Sequence, residues 1–137
     1  MTQRFHAPQA RDYPTALREL RHGRKTTHWI WWIFPQLASL GRSPRAKEYG
    51  IADLDEARAY LADPVLRARL VEASEAVLTH AGTPIAQIMG EIDAVKLRSC
   101  ATLFEAASNG KEPVFARLLD TFYDGERCPL TLDALAR

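Results

Sequence analysis

The chain has 137 residues, of which 47% are apolar and 26% are charged, and its formal net charge is +1. This profile is typical of one globular domain with its own core, so we expect a single domain over residues 1–137. The balanced charge argues against general nucleic-acid binding. No run of about 18 apolar residues could span a membrane, and the first residues lack the apolar core of a secretion signal, so we expect a cytoplasmic protein.

Start and stop signals of helices recur along the chain, while the two-residue alternation of half-buried strands is absent. Proline, capping residues and glycine bound the predicted helices, which cover residues 13–22, 53–61, 63–82, 83–90, 93–108, 113–125 and a short stretch from 131. Residues 40–50 are predicted as a loop too short to separate two domains. The sequence therefore predicts an all-α fold of about six or seven short helices.

The near-neutral total charge conceals an uneven distribution. Residues 1–47 carry nine Lys and Arg and two Asp and Glu, a net charge of +7. Residues 48–137 carry nine Lys and Arg and fifteen Asp and Glu, a net charge of −6. Two interpretations are open: the two parts pack against each other through opposite fields, or the basic part holds a site for an anion.

The most unusual segment is HWIWWIF at residues 28–34, which holds all three tryptophans. It is apolar enough for a buried strand, but a helical turn that ends at Phe34 before Pro35 fits equally well. Neighbouring side chains point to different faces in either case, so one core cannot easily take every ring. Either this is a wide central element of the core, or at least one of His28, Trp29, Trp32 and Gln36 faces a cavity.

A cationic strip leads into this segment, with Arg18, Arg21, Arg24, Lys25 and neighbouring histidines before the first tryptophan. Aromatic rings beside cations suit a nucleotide-like ligand, although such a run is also typical of a solvated face. The glycine-rich loops that bind phosphates in known nucleotide-binding motifs are absent from the sequence.

The second notable segment is DAVKLRSCATLFEAA at residues 93–107. Its apolar residues share one broad helical face, and Lys96 lies within that face with Asp93 one turn earlier. A buried charge needs a partner, so we expect Lys96 to be largely buried and paired with Asp93. Alternatively, Lys96 with Arg98 or Ser99 lines a pocket at the start of the helix, where free N–H groups favour anions.

The cysteines and histidines show no spacing typical of a metal site, so we expect neither a metal nor a cofactor. Cys100 and Cys128 are expected to be reduced, with Cys100 on the buried face of its helix and Cys128 in the loop after Gly125.

The segments HWIWWIFPQ (28–36) and GEIDAVKLRSCATLF (90–104) resemble the two signatures of the bacterial domain of unknown function 1810, and the resemblance covers nearly the whole chain. It implies a compact all-α fold and no established reaction. Some family members carry a calpastatin-like label, but calpastatin is a disordered inhibitor and this sequence is that of a packed globule. Relative to the family pattern, Ile92 replaces a proline and Ala94 a second aspartate, which leaves Asp93 as the remaining candidate carboxylate.

Three functional hypotheses follow. In the first, the tryptophan segment and the helix from Asp93 form one pocket for a small anionic, nucleotide-like or phosphorylated ligand. The candidate binding residues are His28, Trp29, Trp32, Gln36, Asp93, Lys96 and Ser99. In the second, the same pocket hydrolyses a glycosidic or phosphate bond, with Asp93 as general base. In the third, the tryptophans are presented to a protein partner. The sequence leaves the oligomeric state open.

Overall fold

The structure is a computed structural model that describes residues 2–137. Nine helices lie within these residues, together with two 3-10 turns at Gln3–Phe5 and Ala38–Leu40. The helices are α1 (His6–Arg21), α2 (Ile30–Ile33), α3 (Pro44–Glu48), α4 (Leu54–Ala62), α5 (Pro64–Leu78), α6 (Ile85–Met89), α7 (Glu91–Ser108), α8 (Pro113–Phe122) and α9 (Pro129–Ala136). The prediction of an all-α fold is confirmed.

Helix α7 is the centre of the fold, because α4, α6, α8 and α9 all pack against it. Its side chains at Leu97, Cys100, Leu103 and Phe104 are fully enclosed, as the predicted apolar face requires. Helices α1, α5 and α8 pack beside one another and close the other side of the core. The start of α7 remains at the surface, where it meets the loop that follows α1.

Local capping chemistry places the starts of α4 and α5 where the sequence predicts them. Asp53 accepts a hydrogen bond from the backbone N–H of Glu56 (2.9 Å), and Glu56 in turn accepts from the N–H of Ala52 (3.0 Å). Asp63 caps α5 through the N–H groups of Val65 and Leu66. These bonds satisfy donors that the first helical turn leaves free.

Three predicted helix starts are wrong, and α5 ends at Leu78 rather than near Gly82. Helix α1 begins at His6 rather than near Tyr13, because Pro8 sits in the first turn, where its missing N–H is harmless, and the helix also continues through Pro14. Helix α7 begins at Glu91, directly after Gly90 with its φ of +84°, so Asp93 lies inside the first turn instead of capping it. Helix α9 begins at Pro129, two residues before the predicted start.

The predicted loop at residues 40–50 contains α3, which Ser43 caps by accepting a hydrogen bond from the N–H of Ala46 (3.1 Å). An isolated parallel bridge between Leu37 and Ile51 joins the two ends of this segment. Arg4 reaches it from the chain start, donating to the backbone oxygens of Glu48 (2.9 Å) and Gly50 (2.7 Å). The bridge thus joins the two ends of the segment, and Arg4 ties its C-terminal end to the start of the chain.

No helix within residues 2–137 combines the length and the apolar character that a membrane span needs.

Candidate functional site

The loop from His22 to Trp29 is held in place by one buried carboxylate, Glu19 on α1. Its oxygens accept hydrogen bonds from the N–H of Thr26 (2.8 Å), the N–H and Oγ1 of Thr27 (3.1 and 2.7 Å) and the Nε1 of Trp29 (3.0 Å). Burial alone would raise the pKa of Glu19, but these donors outweigh it and lower that pKa to about 2. Glu19 thus fixes the loop that brings Lys25 and His28 to the start of α7.

Within the segment HWIWWIF, Ile30–Ile33 form the short helix α2, and most of the segment is buried. Trp29 and Trp32 lie in the core, where Trp32 packs edge-on against Tyr49 with ring centroids 5.1 Å apart. Trp31 is the exception among the three tryptophans, because its side chain is only partly buried. The ring that the core leaves out is therefore Trp31, which the sequence did not single out.

An open cleft of about 490 Å³ lies where the loop, α2 and the start of α7 meet. We call it the α7 cleft. It is lined by Lys25, His28, Trp31, Met89, Gly90, Glu91, Ile92, Asp93 and Lys96.

Two lysines converge on Asp93 in the α7 cleft. The Nζ of Lys25 lies 2.8 Å from Oδ2 of Asp93, and the Nζ of Lys96 lies 3.5 Å from Oδ1. The predicted pair of Asp93 and Lys96 is present, but Lys96 is 25% exposed and thus less buried than expected. Lys25 is the closer and more buried partner, with a side chain that is only 5% exposed. The two ammonium groups exceed the charge of Asp93 by one, and the carboxylate of Glu91, which also lines the cleft, balances that excess formally.

Aromatic faces hold both ammonium groups in position. The Nζ of Lys25 lies 4.8 Å from the ring centre of Trp29, and the Nζ of Lys96 lies 5.1 Å from that of Trp31. The guanidinium of Arg45 lies at the same distance, 5.1 Å, from the Trp31 ring. Trp31 therefore positions two cations at the edge of the cleft.

The start of α7 adds backbone donors to the cleft. No side chain caps this helix, and the N–H groups of Glu91, Ile92 and Asp93 have no hydrogen-bond partner within the described residues. Free N–H groups at the start of an 18-residue helix favour an anion. The exposed carboxylate of Glu91 opposes this preference at the rim.

Trp31 also forms one wall of a narrow slot beside the cleft, with room for about 10 Å³. Gln36 and Lys96 line this slot together with apolar side chains. The Nε1 of Trp31 is shielded from solvent and has no hydrogen-bond partner among residues 2–137.

The seven predicted binding residues thus separate into groups. His28, Asp93 and Lys96 meet in the α7 cleft, and Gln36 lies in the slot beside it. Trp29 lies beneath the cleft, against Lys25, and Trp32 lies in the core.

Ser99 is buried on a different side of α7, where its Oγ donates to the Sγ of Cys128 (3.3 Å). Burial would raise the pKa of the Cys128 thiol, but hydrogen bonds from Ser99, from Thr131 and from the start of α9 lower it. Cys100 lies in the apolar core, where burial raises its pKa. Both thiols are free.

Lys25 and Trp31 are the cleft residues that sequence reasoning missed. The cationic strip contained Lys25 and the aromatic run contained Trp31, but neither pattern distinguishes these residues from their neighbours. Within the described part of the chain, no cluster of three or more His, Cys, Asp or Glu side chains could hold a metal ion.

Comparison with known proteins supports the fold and assigns no function. Residues 1–135 match the model of a family described as protein of unknown function (DUF1810). The chain is also similar to the crystal structure of a conserved hypothetical protein from Mycobacterium tuberculosis, with 42% sequence identity and a TM-score of 0.96 over 99% of this chain and 96% of the other. No curated protein sequence matches the chain significantly.

Proposed function

The chain belongs to the DUF1810 family of proteins of unknown function, and we propose that it binds a small anionic molecule, a phosphate monoester above all, in the α7 cleft. The observation that carries this proposal is the convergence of Lys25, Lys96 and the uncapped start of α7 on one open space. In proteins, phosphate oxygens accept hydrogen bonds from ammonium groups and from the free N–H groups at helix starts.

The ligand is better described as phosphorylated than as nucleotide-like. A base would stack on an open aromatic face, and Trp31 is the partly exposed ring of the cleft. That ring already has two cations against it, so a stacking base would have to displace Lys96 or Arg45. The exposed imidazole of His28 is the other group available to the organic part of a ligand.

Hydrolysis with Asp93 as general base receives less support from the geometry. A general base needs a free lone pair directed at a water or a substrate proton. Each carboxylate oxygen of Asp93 instead faces an ammonium group, at 2.8 Å from Lys25 and 3.5 Å from Lys96.

A protein-interaction role is favoured by one specific observation, although it does not involve the buried tryptophans. Ile92 and Val95, on the first two turns of α7, are 74% and 63% exposed. Exposed apolar side chains beside a cleft suit a partner's apolar surface. This role predicts self-association or partner binding that survives loss of Lys96.

The direct test is isothermal titration with inorganic phosphate, ribose 5-phosphate and AMP against the wild type and two lysine variants. Lys96→Met should abolish binding, because it removes the more accessible ammonium group of the cleft. Lys47→Met on α3 is the matched control, since its side chain is exposed and away from the cleft. A ligand at 100 times its dissociation constant should also stabilise the wild type by about 2.7 kcal/mol. Equal binding by both variants would refute the proposed site.

A second pair of variants tests the electrostatics of the cleft. Asp93→Asn removes the carboxylate that competes for both ammonium groups, so affinity for inorganic phosphate should rise about tenfold. Glu91→Gln removes the same charge from the rim, where no lysine is paired with it, and should raise the affinity for inorganic phosphate less. If Asp93→Asn instead weakens binding, Asp93 contacts the ligand and the competition argument is wrong.

A further inference from the structure

A second open cleft, of about 470 Å³, lies at the other end of α7. The α7 cleft adjoins Glu91, whereas this one adjoins Ser108, and the 18 residues of the helix place the two ends about 25 Å apart. Its walls come from α4, from the start of α5 and from the turn between α7 and α8. We call it the basic cleft.

Cations from three separate elements line the basic cleft. Arg58 comes from α4, Arg67 from α5 and Lys111 from the turn after α7. The acidic side chain of the lining, Glu112, is bound by Arg67 through its Nε and Nη2. Three cations against one carboxylate leave a formal surplus of +2.

This surplus stands out against its surroundings. Residues 48–137 carry a net charge of −6, and four cations of this part of the chain are paired with acids: Arg67, Lys96, Arg98 and Arg127. The side chains of Arg58 and Lys111 have no ion-pair or hydrogen-bond partner within residues 2–137. Two unpaired cations therefore face the same concavity.

The cations are not needed to neutralise the end of α7. Helix C-termini attract positive side chains because their last carbonyl groups lack partners. Here the turn itself supplies those partners: the N–H of Asn109 donates to Ala106, that of Gly110 to Glu105 and that of Lys111 to Ser108. The positive side chains remain free for an external anion.

From these observations we propose that the basic cleft binds a dianion such as a phosphate monoester with a small apolar organic group. Arg58 and Lys111 bind the phosphate, while Leu61 and Ala107 give the apolar contact that the organic group needs. This site is independent of the α7 cleft, because the two lists of lining residues do not overlap.

Phenyl phosphate is a suitable probe, because it joins a dianion to an apolar ring. Its affinity, measured by isothermal titration, should fall at least about tenfold in the double variant Arg58→Gln, Lys111→Gln. The double variant Arg117→Gln, Lys47→Gln changes the net charge equally at exposed positions outside both clefts and should change affinity less than about twofold. Inorganic phosphate, which lacks the ring, should bind the basic cleft more weakly than phenyl phosphate.

The variant Lys96→Gln separates the two clefts. Phenyl phosphate binding that survives Lys96→Gln and is lost in the Arg58 and Lys111 double variant supports the basic cleft, even if the α7 cleft binds nothing. Three results would overturn it: no binding of phenyl phosphate by the wild type at millimolar concentration, equal losses in the two double variants, or a loss confined to Lys96→Gln.

Discussion

The most informative perturbation is Glu19→Gln, because this one carboxylate orders the loop that carries Lys25 and His28. Glu19 is 8% exposed and accepts four hydrogen bonds, which lower its pKa from the ordinary value of 4.5 to about 2. A glutamine keeps the shape and some of the bonds but loses the charge. The difference between 4.5 and 2 corresponds to about 3 kcal/mol of folding free energy at neutral pH.

The pH dependence gives the expected sign. Because the pKa of Glu19 is lower in the folded state, its contribution is complete above the unfolded value of 4.5 and disappears as the pH falls towards 2. The free energy of unfolding of the wild type should therefore exceed that of Glu19→Gln by about 3 kcal/mol at pH 7 and by about 1 kcal/mol at pH 3.

Urea denaturation of both proteins between pH 3 and pH 7 measures this difference. Glu75→Gln is the control, since Glu75 lies exposed on α5 with no side-chain hydrogen bond in the described residues, and its effect should stay within about 0.5 kcal/mol. A difference between wild type and Glu19→Gln that is the same at pH 3 and pH 7 would show that the charge of Glu19 does not stabilise the loop.

Three further outcomes follow from the structure. Lys25→Met should lower the free energy of unfolding by about 2–3 kcal/mol and Lys96→Met by less than about 1 kcal/mol, because Lys25 is the more buried partner of Asp93. Equal losses of stability in urea denaturation would contradict this prediction. Gly50→Ala would place its Cβ 2.3 Å from a neighbouring backbone carbon and should lower the melting temperature, whereas Gly82→Ala meets nothing within 4 Å and should leave it nearly unchanged. At pH 7, iodoacetamide should modify Cys128 before Cys100 in the native protein, because the pKa of Cys128 is lowered and that of Cys100 is raised. Mass spectrometry after digestion measures the order, and earlier modification of Cys100 would contradict the prediction.

Local rules account for the parts of the fold that the sequence predicted well. The starts of α4, α5 and α8 depend on Asp53, Asp63 and Pro113, which act within a few residues of their own position. The start of α1 was missed because residues 6–11 carry no capping residue or apolar stripe that marks a helix, although Pro8 in the first turn is harmless. The start of α7 was missed because Asp93 resembles a capping residue in sequence.

The candidate site depends on contacts that no local pattern encodes. Lys25 and Asp93 lie far apart in the chain, and only the packing of α6 and α7 beside the loop after α1 brings them within 2.8 Å. The crowded tryptophans left two interpretations open, a wide element of the core or a residue that faces a cavity. The side-chain pattern alone could not identify Trp31 as the partly exposed ring, since the choice depends on how Trp29 and Trp32 meet Glu19 and Tyr49.

The bridge between Leu37 and Ile51 has a consequence for motion. The N–H of Ile51 donates to Gln36 and the N–H of Ala38 donates to Ile51, each at 2.8 Å, and these bonds, with those from Arg4 to Glu48 and Gly50, close the chain between them into one lobe. A lobe of this kind opens as one cooperative unit, and the amide protons of Ala38 and Ile51 should then show the same protection factor in hydrogen exchange. Each opening would also move Arg45 away from Trp31. Hydrogen exchange at Ala38 and Ile51 therefore measures how often the Trp31 ring loses this contact.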